Sequence, residues 1–133
     1  MKLFRCKVCG QVVKKIKDTE MPLTCCGKEM EEIFSNDKED NLKEKHIPTY
    51  EINNNKVLVK VGSVLHPSSK EHYIEWITVV TDRGCHTKML TPGENPIAVF
   101  LLDKGEKLLT IYAYCNIHSL WKKDVCRNLG CSL

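Results

Sequence analysis

Lys107-Leu108-Leu109-Thr110-Ile111-Tyr112-Ala113-Tyr114-Cys115 is the run on which the fold turns. Along Leu109, Ile111, Ala113 and Cys115 every second residue is apolar, the period of a β-strand with one buried face, so Cys115 points toward the core. The chain continues Asn116-Ile117-His118, and in a CxxH spacing both side chains can grip one ion. The backbone amides of Asn116, Ile117 and His118 are placed to hydrogen-bond the sulfur and tune it.

Upstream, Lys56 to Val61, Tyr73 to Thr81 and Ile97 to Leu102 have the same β-rich character, and no amphipathic helix is convincing anywhere. Turn residues punctuate the runs at Asn53-Asn54-Asn55, Asp82-Arg83-Gly84, Thr91-Pro92-Gly93 and Asp103-Lys104-Gly105. That rhythm predicts an all-β protein built on an antiparallel sandwich.

Four of the five histidines gather with Cys115 around this framework: His46, His66, His72 and His118. A single histidine at a strand end is usually a surface group, but four imidazoles and a thiolate exceed the four donors of a closed structural zinc site. The set suggests a redox-active iron with one position free. Pro67 fixes the exit of His66, and His72 follows across a short loop, so both can face one cavity. His86, in the turn-like Asp82-Arg83-Gly84-Cys85, is left outside the site together with Cys85. A blue-copper centre also starts from a cysteine and a nearby histidine at the end of a sandwich, but no methionine follows Cys115 to serve as its weak axial ligand.

A second donor set opens the chain. Cys6-Lys7-Val8-Cys9-Gly10 and Cys25-Cys26-Gly27 supply four thiolates, and a tetrahedral four-sulfur site accepts zinc or iron. Adjacent side chains on an extended strand point to opposite faces, so bringing Cys25 and Cys26 to one ion requires a local kink. Between the two sets lies Ser35 to Lys45, SNDKEDNLKEK, in which only Leu42 is apolar, and it reads as solvated. The expected organisation is an amino-terminal metal-bound domain at 1–36, a charged linker at 37–45 and a β-sandwich at 46–133. The first segment is too small to bury a sufficient core, so a metal, a partner chain or both must hold it.

The net charge of +3 over 133 residues, with scattered lysines, gives no support for nucleic-acid binding. No apolar run approaches the roughly eighteen residues of a membrane span, and MKLFRCKVCG lacks a signal-peptide core. Eight cysteines would suit a secreted disulfide scaffold, but without a signal, and with five of them in ligand-like spacings, a reducing cytoplasm fits better.

CKVCG, TCCGKEM, EKHIP, HPSSKEHYIEW and YCNIHSLW together resemble desulfoferrodoxin, the two-iron form of superoxide reductase with a desulforedoxin-like amino-terminal domain. The resemblance covers Met1 to around Lys122, and two distinct metal motifs match in order. It implies that Cys6, Cys9, Cys25 and Cys26 hold a distorted tetrahedral iron, and that the second domain is an immunoglobulin-like sandwich. It further implies a catalytic iron with His46, His66, His72 and His118 equatorial and Cys115 axial. Lys45 would lie beside the open position, and Glu44, two residues before His46 and on its face of an extended segment, would occupy that position in the ferric resting state. The substrate would be superoxide, the electron donor a rubredoxin-like protein, and the assembly a homodimer.

An electron carrier with two irons and a zinc-stabilised binding module are the competing readings. Two features depart from the family pattern. Ser119 stands where glycine is common, which points to different torsions there, and the tail after Trp121 adds Cys126 and Cys131 as free thiols or as a disulfide with each other or with Cys85.

Overall fold

The computed structural model describes residues 1–125, so Cys126 and Cys131 lie outside the described residues. Two compact units are present, Met1–Phe34 and a second beginning at Ser35. In the first, β1 (Lys2–Arg5), β2 (Val12–Lys15) and β5 (Glu31–Ile33) make an antiparallel sheet in the order β2-β1-β5, while β3 (Thr24–Cys25) and β4 (Lys28–Glu29) form a minimal hairpin. Its buried apolar residues are Leu3, Cys6, Met30 and Ile33. At about 1.5–3 kcal/mol for each fully buried large side chain, that core falls far short of the backbone entropy lost on ordering the unit. The unit depends on its four sulfurs.

The second unit is a sandwich. One sheet joins β6 (Pro48–Asn53), β7 (Lys56–Val61) and β10 (Ile97–Leu101) in the order β10-β7-β6, and the other joins β8 (Ile74–Thr81), β9 (Gly84–Met89), β11 (Leu108–Cys115) and β12 (Ser119–Asp124) in the order β12-β11-β8-β9. Every pairing is antiparallel. Alternation along the strands sends Val57, Val59, Val61, Ile77, Val79, Ile111 and Ala113 into the shared core, where all are fully buried. The β-branched side chains suit a pleated surface and fill the space between the sheets.

Cys115 lies on the same inward face with no exposure, as the alternation requires. The alternation is imperfect at both ends of β11. Register shifts against β8 fall between Leu108 and Thr110 and between Tyr114 and Cys115. The first buries Leu108 in place of Leu109, and the second re-aims the chain where the sulfur must leave the ladder.

In the sandwich, three strands escaped the sequence reading. Each of β6, β9 and β12 is an edge strand of its sheet, and burial along them does not alternate: Glu51, Ile52 and Asn53 are all exposed in β6, Leu120 and Trp121 are buried side by side in β12, and β9 has no buried residue. The charged segment before His46 holds a 3-10 turn at Asp40–Leu42 and a single α-helical turn, α1 (Lys43–His46), rather than the extended chain expected there. Lys43 Nζ pairs with Asp40 Oδ1 at 2.6 Å across that turn. Among the described residues no helix is long and apolar enough to cross a membrane.

At the far end of β11 from Cys115, Glu106 ties the β8–β9 hairpin to the loop that carries the chain from β10 in one sheet to β11 in the other. Its carboxylate accepts from the Thr81 hydroxyl, from His86 Nε2 at 3.0 Å and from the Asp103 amide at 2.9 Å, and its side chain is almost fully buried. The Thr81 hydroxyl, followed by His86 and the Asp103 amide, holds the Glu106 carboxyl down at about 2 from an ordinary 4.5. A carboxyl depressed in the folded state stabilises fully above its unfolded pKa and loses that contribution as pH falls through the interval. Glu106→Gln should therefore lower the melting temperature at neutral pH by several degrees and flatten the decline of stability between pH 4.5 and 2. Thermal melts of both proteins across that range check it, and parallel pH curves would remove Glu106 as the source.

Candidate metal centres

His46 ends α1, and its Nδ1–H donates to the Leu42 carbonyl at 2.8 Å. A carbonyl only accepts, so this bond sets the tautomer and leaves Nε2 with a bare lone pair. His66 lies past the end of β7 in the 62–73 loop, not on a strand exit, and its Nδ1–H donates to the Pro67 carbonyl at 2.7 Å. Its Nε2 is bare as well. These two nitrogens stand 3.1 Å apart, and His118 Nδ1 stands 3.1 Å from His46 Nε2. Cys115 Sγ completes the group at 3.4 Å from His66 Nε2 and 3.8 Å from His118 Nδ1.

Lone pairs facing each other at such a distance repel unless a cation lies between them. A proton is disfavoured in that role, because burial lowers the pKa of both imidazoles, that of His66 to about 4. His72 makes the same point independently: its Nε2 is buried and has no hydrogen-bond partner. The donor atoms of His46, His66, His72 and Cys115 all lie within 4.8 Å of one another, and His118 joins them through its contacts with His46 and Cys115. Two nitrogens each about 2.1 Å from one ion and at right angles to each other would be roughly 3.0 Å apart, so the donor set fits a metal.

The surroundings explain how loops hold this geometry. Asn116 stitches the turn after β11 to the His72 loop: its amide donates to the Tyr73 carbonyl at 3.2 Å, its Nδ2 to the Glu71 carbonyl at 2.9 Å, and its Oδ1 accepts from the Tyr73 amide at 3.0 Å. The Asn116 amide is therefore not available to the sulfur. Burial raises the Cys115 pKa, and the amides of His118 and Ile117 oppose that rise by hydrogen-bonding the sulfur. Trp121, fully buried, donates from Nε1 to the His118 carbonyl at 3.1 Å and stacks on the His46 ring at 4.7 Å. Its part in the site was visible in the sequence only as an aromatic three residues after His118.

Ser119 has φ 64°, the left-handed conformation that glycine adopts at no cost. The expectation of altered torsions at this position is corrected: the serine takes the glycine-like torsion, with its strain.

His86 and Cys85 stay on β9, with His86 held by Glu106. Glu44 and Lys45 sit on α1, both exposed. Residues two apart on a helix are about 200° apart around its axis, so Glu44 does not share the face of His46 as an extended segment would have allowed. Lys45 does make itself felt at the centre. After burial and the neighbouring His118, its positive charge is the remaining cause of the lowered His72 pKa.

The second donor set occupies the first unit. Cys6, Cys9, Cys25 and Cys26 bring their sulfurs within 4.8 Å of one another, with Cys9 Sγ 3.6 Å from Cys25 Sγ and Cys25 Sγ 3.9 Å from Cys26 Sγ. The kink demanded by the adjacent pair is present, because Cys26 has φ 53° and Gly27 φ 73°. Amides of the knuckle, that of Cys9 first, lower the Cys6 pKa to about 6, while the neighbouring sulfurs of Cys6 and Cys9 push Cys25 up to about 12. Four sulfurs this close share their negative charge poorly without a cation, and a tetrahedral metal relieves that repulsion.

Residues 1–33 match the family described as Desulfoferrodoxin, N-terminal domain, and residues 38–124 match Desulfoferrodoxin. The chain is 43% identical over 122 residues to a desulfoferrodoxin homolog of Archaeoglobus fulgidus, covering 92% of this chain and 95% of that protein. It is 38% identical over 124 residues to a desulfoferrodoxin of Desulfarculus baarsii, covering 93% and 96% respectively. Among solved structures, the superoxide reductase from Treponema pallidum aligns with a TM-score of 0.79 at 30% identity, covering 93% of this chain and 98% of that one. With both donor sets, the order of the two units and both family matches in agreement, the chain belongs to the desulfoferrodoxin family.

Proposed function

We infer that the protein is a superoxide reductase, and the observation that carries the reading is the pair of bare imidazole nitrogens of His46 and His66 beside the buried Cys115 sulfur. Its relatives support it, since the superoxide reductases of Treponema pallidum and Giardia intestinalis have a similar fold. His46, His66, His72, His118 and Cys115 would hold one iron, and Cys6, Cys9, Cys25 and Cys26 a second. Iron at the first set supplies one-electron redox chemistry: superoxide takes up one electron and two protons and leaves as hydrogen peroxide.

The chain's own residues prepare that step. Neutral imidazoles and one thiolate offset only one of the two charges of a ferrous ion, so the centre stays cationic and attracts an anion. The exposed Lys45 ammonium, whose charge reaches His72, adds to that attraction and can donate a hydrogen bond to the anion. Amides of His118 and Ile117 hydrogen-bond the Cys115 sulfur and offset part of the burial that disfavours its anionic, electron-donating form. Glu44, one position earlier on α1, would offer its carboxylate to the open position only if the segment left its helical turn, since in that turn it faces away from His46. A rubredoxin-like donor would return the electron, and the exposure of Cys9 and Cys26 suits such an encounter at the four-sulfur site. A homodimer fits the small core of the first unit, whose Ile16 is 92% exposed and whose Met21 and Phe34 are each 72% exposed.

Three substitutions test this reading. Cys26→Ser should remove the visible absorption of the four-sulfur iron while the other set keeps its metal and superoxide reduction continues; loss of all turnover would make the four-sulfur site essential. Cys115→Ser should abolish the thiolate-to-metal absorption and most activity, and retention of both would assign the sulfur ligand elsewhere. Lys45→Ala should slow the second-order reaction of reduced protein with pulse-generated superoxide by on the order of tenfold or more and flatten its dependence on ionic strength. A wild-type rate and salt slope would leave the metal's own charge as the attractor.

A further inference from the structure

The carbonyl of Glu44 poses a problem that the sequence creates and a distant turn answers. In a continuing α-helix that carbonyl would accept from the amide four residues on, but that residue is Pro48, which has none. Instead, the Ser63 amide donates to Glu44 O at 2.8 Å, the Ser63 hydroxyl at 3.2 Å and the Val64 amide at 3.4 Å. On the far side of the same turn, the Gly62 amide donates to the Ile47 carbonyl at 3.0 Å. Four donors from three consecutive residues thus grip both ends of the Glu44–Ile47 segment.

Gly62 lets the two backbones approach. It has φ 90°, and a Cβ built on it would run first into the Val64 carbonyl oxygen of its own turn and would also lie 2.8 Å from the Lys45 carbonyl oxygen and 2.9 Å from its carbon, closer than real Cβ atoms come. Any side chain at position 62 must therefore displace the turn itself as well as the backbone of Lys45, and the left-handed torsion adds its own penalty. The turn also leads to a metal donor, since the His66 amide closes it by donating to the Val61 carbonyl at 3.1 Å.

The geometry points to Gly62 and Ser63 as positioning residues for the anion-guiding step: the Gly62–Ser63–Val64 turn clamps α1 so that Lys45 is held on the wound turn that ends in the donor His46. This rests on the role given to Lys45 above. Without the clamp, a one-turn helix lacking its carbonyl partner has little to keep it wound.

The test uses the iron-loaded full chain with Ser63→Ala, Ser63→Thr and Gly62→Ala, each also combined with Lys45→Ala. Loss of one hydrogen bond of ordinary strength corresponds to roughly a fivefold change in population. Ser63→Ala should thus raise amide hydrogen exchange at His46 and Ile47 severalfold, with iron content and the thiolate absorption unchanged. It should also slow the superoxide reaction by a similar factor in the Lys45 protein and not at all in the Lys45→Ala protein. Ser63→Thr, which keeps the hydroxyl, should restore both. Gly62→Ala should act in the same direction and more strongly; if it does not fold, the serine pair carries the test.

Equal slowing by Ser63→Ala in both backgrounds, or unchanged exchange at His46 and Ile47, would overturn the clamp. If instead Lys45→Ala alone reacts like wild type, it is the function of Lys45 that falls, a result the single variant reports separately.

Discussion

Imidazole nitrogens with bare lone pairs, crowded to within 3.1 Å inside a protein, are the constraint from which the second unit is best understood. Such an arrangement is unfavourable by itself, and the fold must hold it open against collapse until a cation arrives. Rigidity comes from the sandwich. Cys115 is anchored at the end of a central strand, while His46, His66, His72 and His118 come from loops or a single helical turn that reach that strand end from different directions. Trp121 and Asn116 lock those loops to β11 and to each other, so errors in loop position are not passed to the donors.

The first unit solves the opposite problem. There the strands are too short and the core too thin to hold anything, and the sulfurs do the holding. One metal site is therefore a guest of its fold and the other a keystone. Removal of metal should be felt differently in the two units, as local repulsion in the sandwich and as loss of structure in the knuckle.

How much of this could be read from the sequence depends on where the information is stored. Cys115 was legible because strand periodicity is local, and the kink at Cys26 because adjacent ligands cannot share an ion without one. The edge strands β6, β9 and β12 were not, since neighbouring residues in them share one burial state, as Glu51 to Asn53 and Leu120 with Trp121 do, and no alternation reaches the sequence. The helical turn at Lys43–His46 was missed for a different reason: its charged residues look solvated, and what winds it is the Gly62–Ser63–Val64 turn, far away in the chain. The Asn116 amide was assigned to the sulfur on proximity in sequence, whereas tertiary structure sends it to Tyr73. Long-range backbone bonds of this kind leave no residue pattern behind.

The partners that orient His46 and His66 are the backbone carbonyls of Leu42 and Pro67. Every amino acid brings a carbonyl, so the tautomers of two metal ligands do not depend on which side chain occupies either position. Such a site has no orienting aspartate or glutamate to lose. Point mutation at those partners leaves the acceptor in place, and only a change of chain path can remove it. The ligand geometry is thereby insulated from much of the sequence drift that separates this chain from relatives with which it shares well under half of its residues.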